Sequence, residues 1–174
     1  MRSFSQRFTG ALLLKSDVYE EVEADHGALG QALVVILIAN VAAGLGLGLR
    51  MGLGGFIALT FASLATWFVW AVVTWFIGTK VLPTSETSSD IAELMRTTGF
   101  AAAPGVFRIL GFIPILGYPI VFAVHVWMLV AMVVAVRQAL DYTSTWRAVA
   151  VCVTGWFVYV LVGLVLVPAA AMLV

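Results

Sequence analysis

Charge is what this chain has least of. Charged residues fill 10% of its 174 positions, against about 25% in a soluble domain, while 63% are hydrophobic. A water-soluble core of this size has no use for so much apolar surface, so the composition is that of an integral membrane protein. Nine basic and nine acidic residues cancel, and no basic excess is left to hold nucleic acid. A single cysteine, Cys152, rules out an intramolecular disulfide, and with only two histidines beside it a His/Cys metal cluster is missing. No glycine-rich loop runs into a lysine and a hydroxyl residue, so there is no phosphate cradle. No serine or cysteine has a base at an interpretable spacing, since His26 and His125 belong at different depths. The expectation is a protein with neither enzymatic activity nor a cofactor. A cleavable signal peptide is not expected either, because residues 1–17 lack a long apolar core and a small-residue cleavage site.

What is present is organised around Arg96 to Asp141. This stretch is mostly apolar, yet it holds Arg108, His125 and Arg137, and Pro104, Pro114 and Pro119 interrupt it. A charge in lipid costs roughly 2.5–3.5 kcal/mol on insertion scales unless it snorkels or faces protein or water. Proline removes a backbone donor and breaks the helix. Together they predict a bent pair of helices with polar groups turned away from lipid.

The rest of the chain supplies walls and a rim, in an all-α fold. Residues 1–26 form a cytoplasmic amphipathic and acidic segment, and 27–174 a membrane domain with spans at about 27–49, 55–77, 99–113, 119–140 and 146–167. Phe4, Phe8 and Leu12 share one helical stripe, with Arg2, Arg7 and Lys15 around it, which suits a short interfacial helix. Asp17 and Glu20 have the spacing of a capping box. In the first span Gln31 and Asn40 are expected to face other helices. Gly44, Gly48 and Gly52 follow small-xxx-small spacing, and Gly155 and Gly163 lie in the last span. These glycine faces admit a homodimer or internal packing equally. Trp75 fits an interfacial anchor, and Trp67 and Trp70 packing positions. Ser88 or Ser89 is placed to cap a short helix in which Glu93 and Arg96, one turn apart, are paired. Pro168 is expected to fray the end of the last span.

With five spans the loops alternate sides. Arg2, Arg7, Lys15, Lys80, Arg96, Arg137 and Arg147 then share the N-terminal side, Arg50 stands alone on the other, and Arg108 is intramembrane. That bias places the N-terminus in the cytoplasm and the C-terminus outside. All nine carboxylates join the cytoplasmic side. Glu20, Glu21, Glu23, Asp25, Arg96, Arg137 and Asp141 therefore form a rim suited to a protein partner. Glu21 and Asp25, or Glu20 and Glu23, are one turn apart and could share a basic partner or a cation.

Several motifs go together with this layout: Tyr19-Glu-Glu-Val-Glu-Ala-Asp25, Gly78-Thr-Lys80, Leu94-Met-Arg-Thr-Thr-Gly-Phe-Ala-Ala-Ala-Pro104, Trp127 through Asp141, and Ser144-Thr-Trp-Arg-Ala148. Over about residues 11–167 the chain resembles the bacterial branch of the YIP domain family, the Ypt/Rab-interacting membrane proteins. The resemblance implies five spans and a cytoplasmic N-terminus, in the bacterial inner membrane. Eukaryotic relatives bind Rab-type GTPases and one another in Golgi and endoplasmic reticulum trafficking. Their long N-terminal region has no counterpart in these 174 residues, and their Asp-Leu-Tyr-Gly-Pro signature is only echoed by Asp17-Val-Tyr-Glu-Glu21, so the trafficking role is not expected to carry over.

Two functions remain. One is a non-enzymatic membrane protein that organises lipids or partner proteins through its cytoplasmic rim. The other is a small transporter or lipid-translocating protein with a polar path near Arg108 and His125. Arg108 has three fates open to it: it snorkels outward, it donates to carbonyls freed by Pro114 and Pro119 or to Asn40 and His125, or it faces a hydrated groove, and only the third makes a pathway.

Overall fold

The computed structural model describes residues 1–46 and 52–171. Among these described residues seven α-helices follow in order: α1 Phe4–Leu12, α2 Ser16–Ala24, α3 Ala28–Gly46, α4 Gly52–Phe76, α5 Ile91–Phe100, α6 Gly117–Ala139 and α7 Thr145–Ala171. A π-turn, Ile77–Val81, ends α4, and a 3-10 helix, Ala103–Phe112, follows α5. Among the described residues three helical stretches are long and apolar enough to cross a membrane: Ala28–Gly46, Gly52–Val81 and Gly117–Ala139. The α7 helix has 27 residues, which at ~1.5 Å per residue is also enough for a hydrocarbon core of ~30 Å.

The expected third span, 99–113, is built differently from a membrane α-helix. Two helix types share it, α5 up to Phe100 and the 3-10 helix from Ala103 to Phe112. Glycines set its course against α3. A β-carbon on Gly99 would lie 2.6 Å from Ala32 Cβ, one on Gly105 2.8 Å from Ala39 Cβ, and one on Gly46 2.0 Å from the Arg108 carbonyl oxygen. The contacts Ala32–Gly99, Ala39–Gly105 and Gly46–Arg108 ascend together, so the two stretches run parallel. From Ala32 to Gly46 α3 climbs about 21 Å. The fewer residues from Gly99 to Arg108 climb nearly as far because a 3-10 helix rises ~2.0 Å per residue. A short sequence thereby keeps pace with a longer one.

The remaining helices alternate. Asn40 donates to Ser63 Oγ at 2.5 Å and Gly44 packs on the Phe56 ring, so α4 returns antiparallel to α3. The Phe107 and Trp127 rings stack at 5.6 Å, and Gln138 donates to Glu20 Oε1 at 2.7 Å, so α6 descends beside the 3-10 helix to α2. Arg147 donates to the Pro83 carbonyl and Gly155 lies against Trp70, so α7 runs antiparallel to α4. One end of the molecule gathers α1, α2 and the charged loops; we call it the charged end, and the opposite one the bare end.

The prolines fall where no donor is required. Pro104 lies in the first turn of the 3-10 helix, Pro114 in the connection after it, and Pro119 in the first turn of α6. Pro168 does not end α7, which continues to Ala171.

Local signals at the charged end differ from expectation in four places. Lys15, not Asp17, is the N-cap of α2, and it makes no side-chain cap bond. Asp17 and Glu20 form no capping box because Arg2 takes the Asp17 carboxylate at 2.5 Å. Asp90, not a serine, caps α5, and Glu93 closes that box by accepting the Asp90 N–H at 2.8 Å. The stripe Phe4, Phe8 and Leu12 packs against the molecule's own core of Ala11, Tyr19, Val22, Ala28 and Ala32, so α1 is tied to the rest of the chain by its apolar side. Gly44 is used inside the α3–α4 hairpin and Gly155 packs against Trp70, whereas a β-carbon on Gly52 would have nothing within 4 Å. Gly48 and Arg50 lie outside the described residues.

Candidate functional site

Two groups of polar side chains stand out, one at each end. At the charged end the centre is Arg7, whose whole residue is 1% exposed. It follows Phe4 by three residues and precedes Phe8, so the helical period places it on the buried face of α1. Its Nε and Nη2 donate to Glu21 Oε1 at 3.1 and 3.0 Å, its Nη1 to Gln31 Oε1 at 3.1 Å, and its Nη2 lies 2.7 Å from Asp25 Oδ2. Arg2 adds its backbone N–H at 2.8 Å and its guanidinium at 2.7 Å to Glu21.

These contacts shift the acids. The Arg2 backbone donor, then the Arg7 and Arg2 side chains, hold the Glu21 carboxyl below the usual range. Arg7, then the Gly27 N–H, does the same for Asp25. Burial alone would lower the Arg7 pKa, but the bonds and charges of Asp25 and Glu21 raise it. Glu21 and Asp25, expected on an open rim, are thus neutralised from within. Arg7 was absent from the expected site; its position on the Phe4–Phe8 stripe was the signal.

Arg96 has a different role from the one its spacing suggests. It is 2% exposed and donates to the Val22 carbonyl at 3.1 Å and, through two nitrogens, to the Glu23 carbonyl. Helices leave their last carbonyls without intrahelical partners. Arg96 therefore caps the C-terminus of α2, and Glu93 serves the α5 cap in place of the expected pair. Arg137 likewise donates to the Tyr142 and Thr143 carbonyls at the turn after α6.

The acids outside the Arg7 network form an acidic patch. Burial, then the charges of Asp141 and Glu93, push the Glu23 carboxyl up to about 8; Arg96 pulls the other way and Glu20 adds to the rise. Glu20 and Asp141 are exposed. Among the described residues no three His, Cys, Asp or Glu side chains are grouped as a metal ion would need. The patch is close enough for mutual repulsion and too open to cage a cation.

At the bare end the two residues expected inside the membrane, Arg108 and His125, line one cavity of about 670 Å³, with Ala43, Gly46, Phe112 and Val121 among its walls. Arg108 donates from Nη2 to the Ala39 carbonyl at 2.9 Å and from Nε to the Gly105 carbonyl at 3.3 Å. These are helix-backbone acceptors next to a close glycine contact, not carbonyls freed by Pro114 or Pro119. Asn40 turns instead to Ser63, and His125 Nδ1 lies 2.7 Å from the Val121 carbonyl oxygen. The structure thus brings Arg108 and His125 to one space and keeps Asn40 apart.

The family model of the Yip1 domain matches residues 9–167. No curated protein and no solved structure matches the chain.

Proposed function

The chain belongs to the Yip1 domain family, and on that premise we propose that this membrane protein organises lipids or partner proteins without catalysing a reaction. Five passes, with the charged end in the cytoplasm of a bacterial cell and the C-terminus outside, accord with the alternating helices and with the one-sided charge. The 1–26 hairpin is then a cytoplasmic element strapped to a membrane domain by Arg7 and Arg96.

The observation that carries the reading is the division of labour among the acids. Glu21 and Asp25 are held by the chain's own arginines, whereas Asp141, Glu93 and Glu20 all oppose the charge of Glu23 beside an arginine already bonded to carbonyls. A basic segment of a partner relieves that repulsion, so the docking face is the acidic patch, not the whole rim.

Crosslinking of wild-type protein in native membranes tests this. A captured partner should be lost with Glu20→Lys combined with Asp141→Asn, at unchanged thermal stability; asparagine tolerates the positive φ of position 141. Capture of no partner by the wild type removes the reading.

The cavity favours a second reading, movement of lipid or solute along Arg108 and His125. Its check is whether reconstituted Arg108→Leu protein moves labelled lipid more slowly than wild type. Equal rates count against it.

A further inference from the structure

We infer that the cavity at the bare end is a binding site for the phosphate of an anionic membrane phospholipid, held by Arg108 with His125 beside it. The inference rests on the membrane placement proposed above, but on neither the partner nor the movement of lipid.

Charge is the first argument. No carboxylate occurs in the sequence between Glu93 and Asp141, or between Asp25 and Glu86, so every stretch lining the cavity lacks an acid. Arg108 stays cationic under all ordinary conditions. A charge in an apolar setting is costly unless something opposite faces it, and among the described residues Arg108 meets only two neutral carbonyls.

The second argument is donor accounting. A guanidinium has five N–H groups in a fork. Nε and Nη2 bond to Gly105 and Ala39, while Nη1 has no hydrogen-bond partner among the described residues. The two carbonyls hold the fork in place on α3 and the 3-10 helix, so its orientation is set before a ligand arrives. A phosphate oxygen suits such a preset donor, as charge-assisted bonds to arginine are short and strong.

Shape is the third. At about 670 Å³ the cavity lies in the ordinary range for small-ligand sites, roughly 300–1,000 Å³, and admits a glycerophosphate. It is not enclosed by polar walls: Phe112, Ile115 and Tyr118 are 64%, 90% and 90% exposed beside it. In a bilayer these side chains offer apolar surface to acyl chains, which a free anion would leave unused. Toward the charged end, the glycine contacts at Gly105–Ala39 and Gly99–Ala32 bring α3 against the 3-10 helix and α5 below the headgroup.

Native mass spectrometry of the full chain in mild detergent tests the site. With added dioleoylphosphatidylglycerol, wild type should retain one lipid per chain, and dioleoylglycerol, which has the same acyl chains and no phosphate, should be retained at least about tenfold less, the ratio expected from losing one charge-assisted bond. Arg108→Gln should lose the selective retention. Ala43→Leu, which fills the cavity and leaves Arg108 in place, should lose it too, and decides the matter if Arg108→Gln does not fold. Millimolar inorganic phosphate should not displace the lipid. Equal retention of the two lipids by wild type, undiminished retention by folded variants, or displacement by phosphate each overturns the proposal; the last would reassign the cavity to a free anion.

Discussion

Glu23 is a carboxylate whose surroundings oppose its charge. Its pKa stands near 8 against an ordinary 4.5, so between those values the folded chain keeps a proton that the unfolded chain releases. Stability contributed by the neutral form is present at low pH and lost as pH rises through that window. Glu23→Gln removes the dependence. It should stabilise by about 1–2 kcal/mol at pH ~8.5, after allowance for partial solvent screening, and by less at pH ~5.5; thermal unfolding at both values checks it. Arg7 is the opposite case. Glu21 and Asp25 have depressed pKa values, so their stabilisation is present above the ordinary carboxylate range and lost as acid protonates them. Arg7→Met leaves Asp25 without a cationic partner and Glu21 with Arg2 alone, and should cost about 2–4 kcal/mol near neutral pH, with the deficit shrinking in acid. A flat deficit across pH would mean that packing, not charge, is what Arg7 supplies. The acidic first turns were visible in the residue string, but their partners were not. Arg7 and Arg96 reach them from other elements, and local spacing reports only neighbours one turn away.

Elements divide by how much their composition says. The α3, α4, α6 and α7 helices are long apolar runs, and their existence was plain in the sequence. The stretch Ala103–Phe112 was not, because in a nearly uniform apolar run nothing distinguishes a rise of ~2.0 Å from one of ~1.5 Å per residue. The three prolines marked the break without naming the helix that would follow. Its glycine partner lies far away in sequence: Gly46 meets the Arg108 backbone itself. Backbone cannot rotate aside as a side-chain tip can. Gly46→Ala should therefore force α3 and the 3-10 helix apart and cost roughly 1–3 kcal/mol. Gly54→Ala, with nothing within 4 Å of the added carbon, should stay within about 0.5 kcal/mol of wild type. Thermal unfolding of the two variants in one detergent compares them; equal stability would contradict the close approach.

At the scale of the whole molecule the alternation of helices sorts the loops between two ends. Contacts set α4 against α3, α6 against the 3-10 helix and α7 against α4, so the loop after α4 and the turn after α6 share the charged end, while the turn before α6 lies at the bare end. Charge counting alone reached the same division, because basic residues cluster where the membrane potential and insertion machinery keep them. What counting could not supply is partners: nothing in the residue string showed that Arg108 donates to the Ala39 and Gly105 carbonyls. The division is testable by thiol labelling in intact cells. With Cys152 replaced by alanine, single cysteines at Thr87, exposed Asp141 and exposed Tyr118 sample the two ends. A membrane-impermeant maleimide should label the Tyr118 position in intact cells, and the Thr87 and Asp141 positions only after the membrane is opened. Labelling of all three from outside, or of Thr87 and Asp141 from opposite sides, would break the five-pass arrangement, since the contacts that bring Arg147 to Pro83 and Gln138 to Glu20 require both loops to lie on one side.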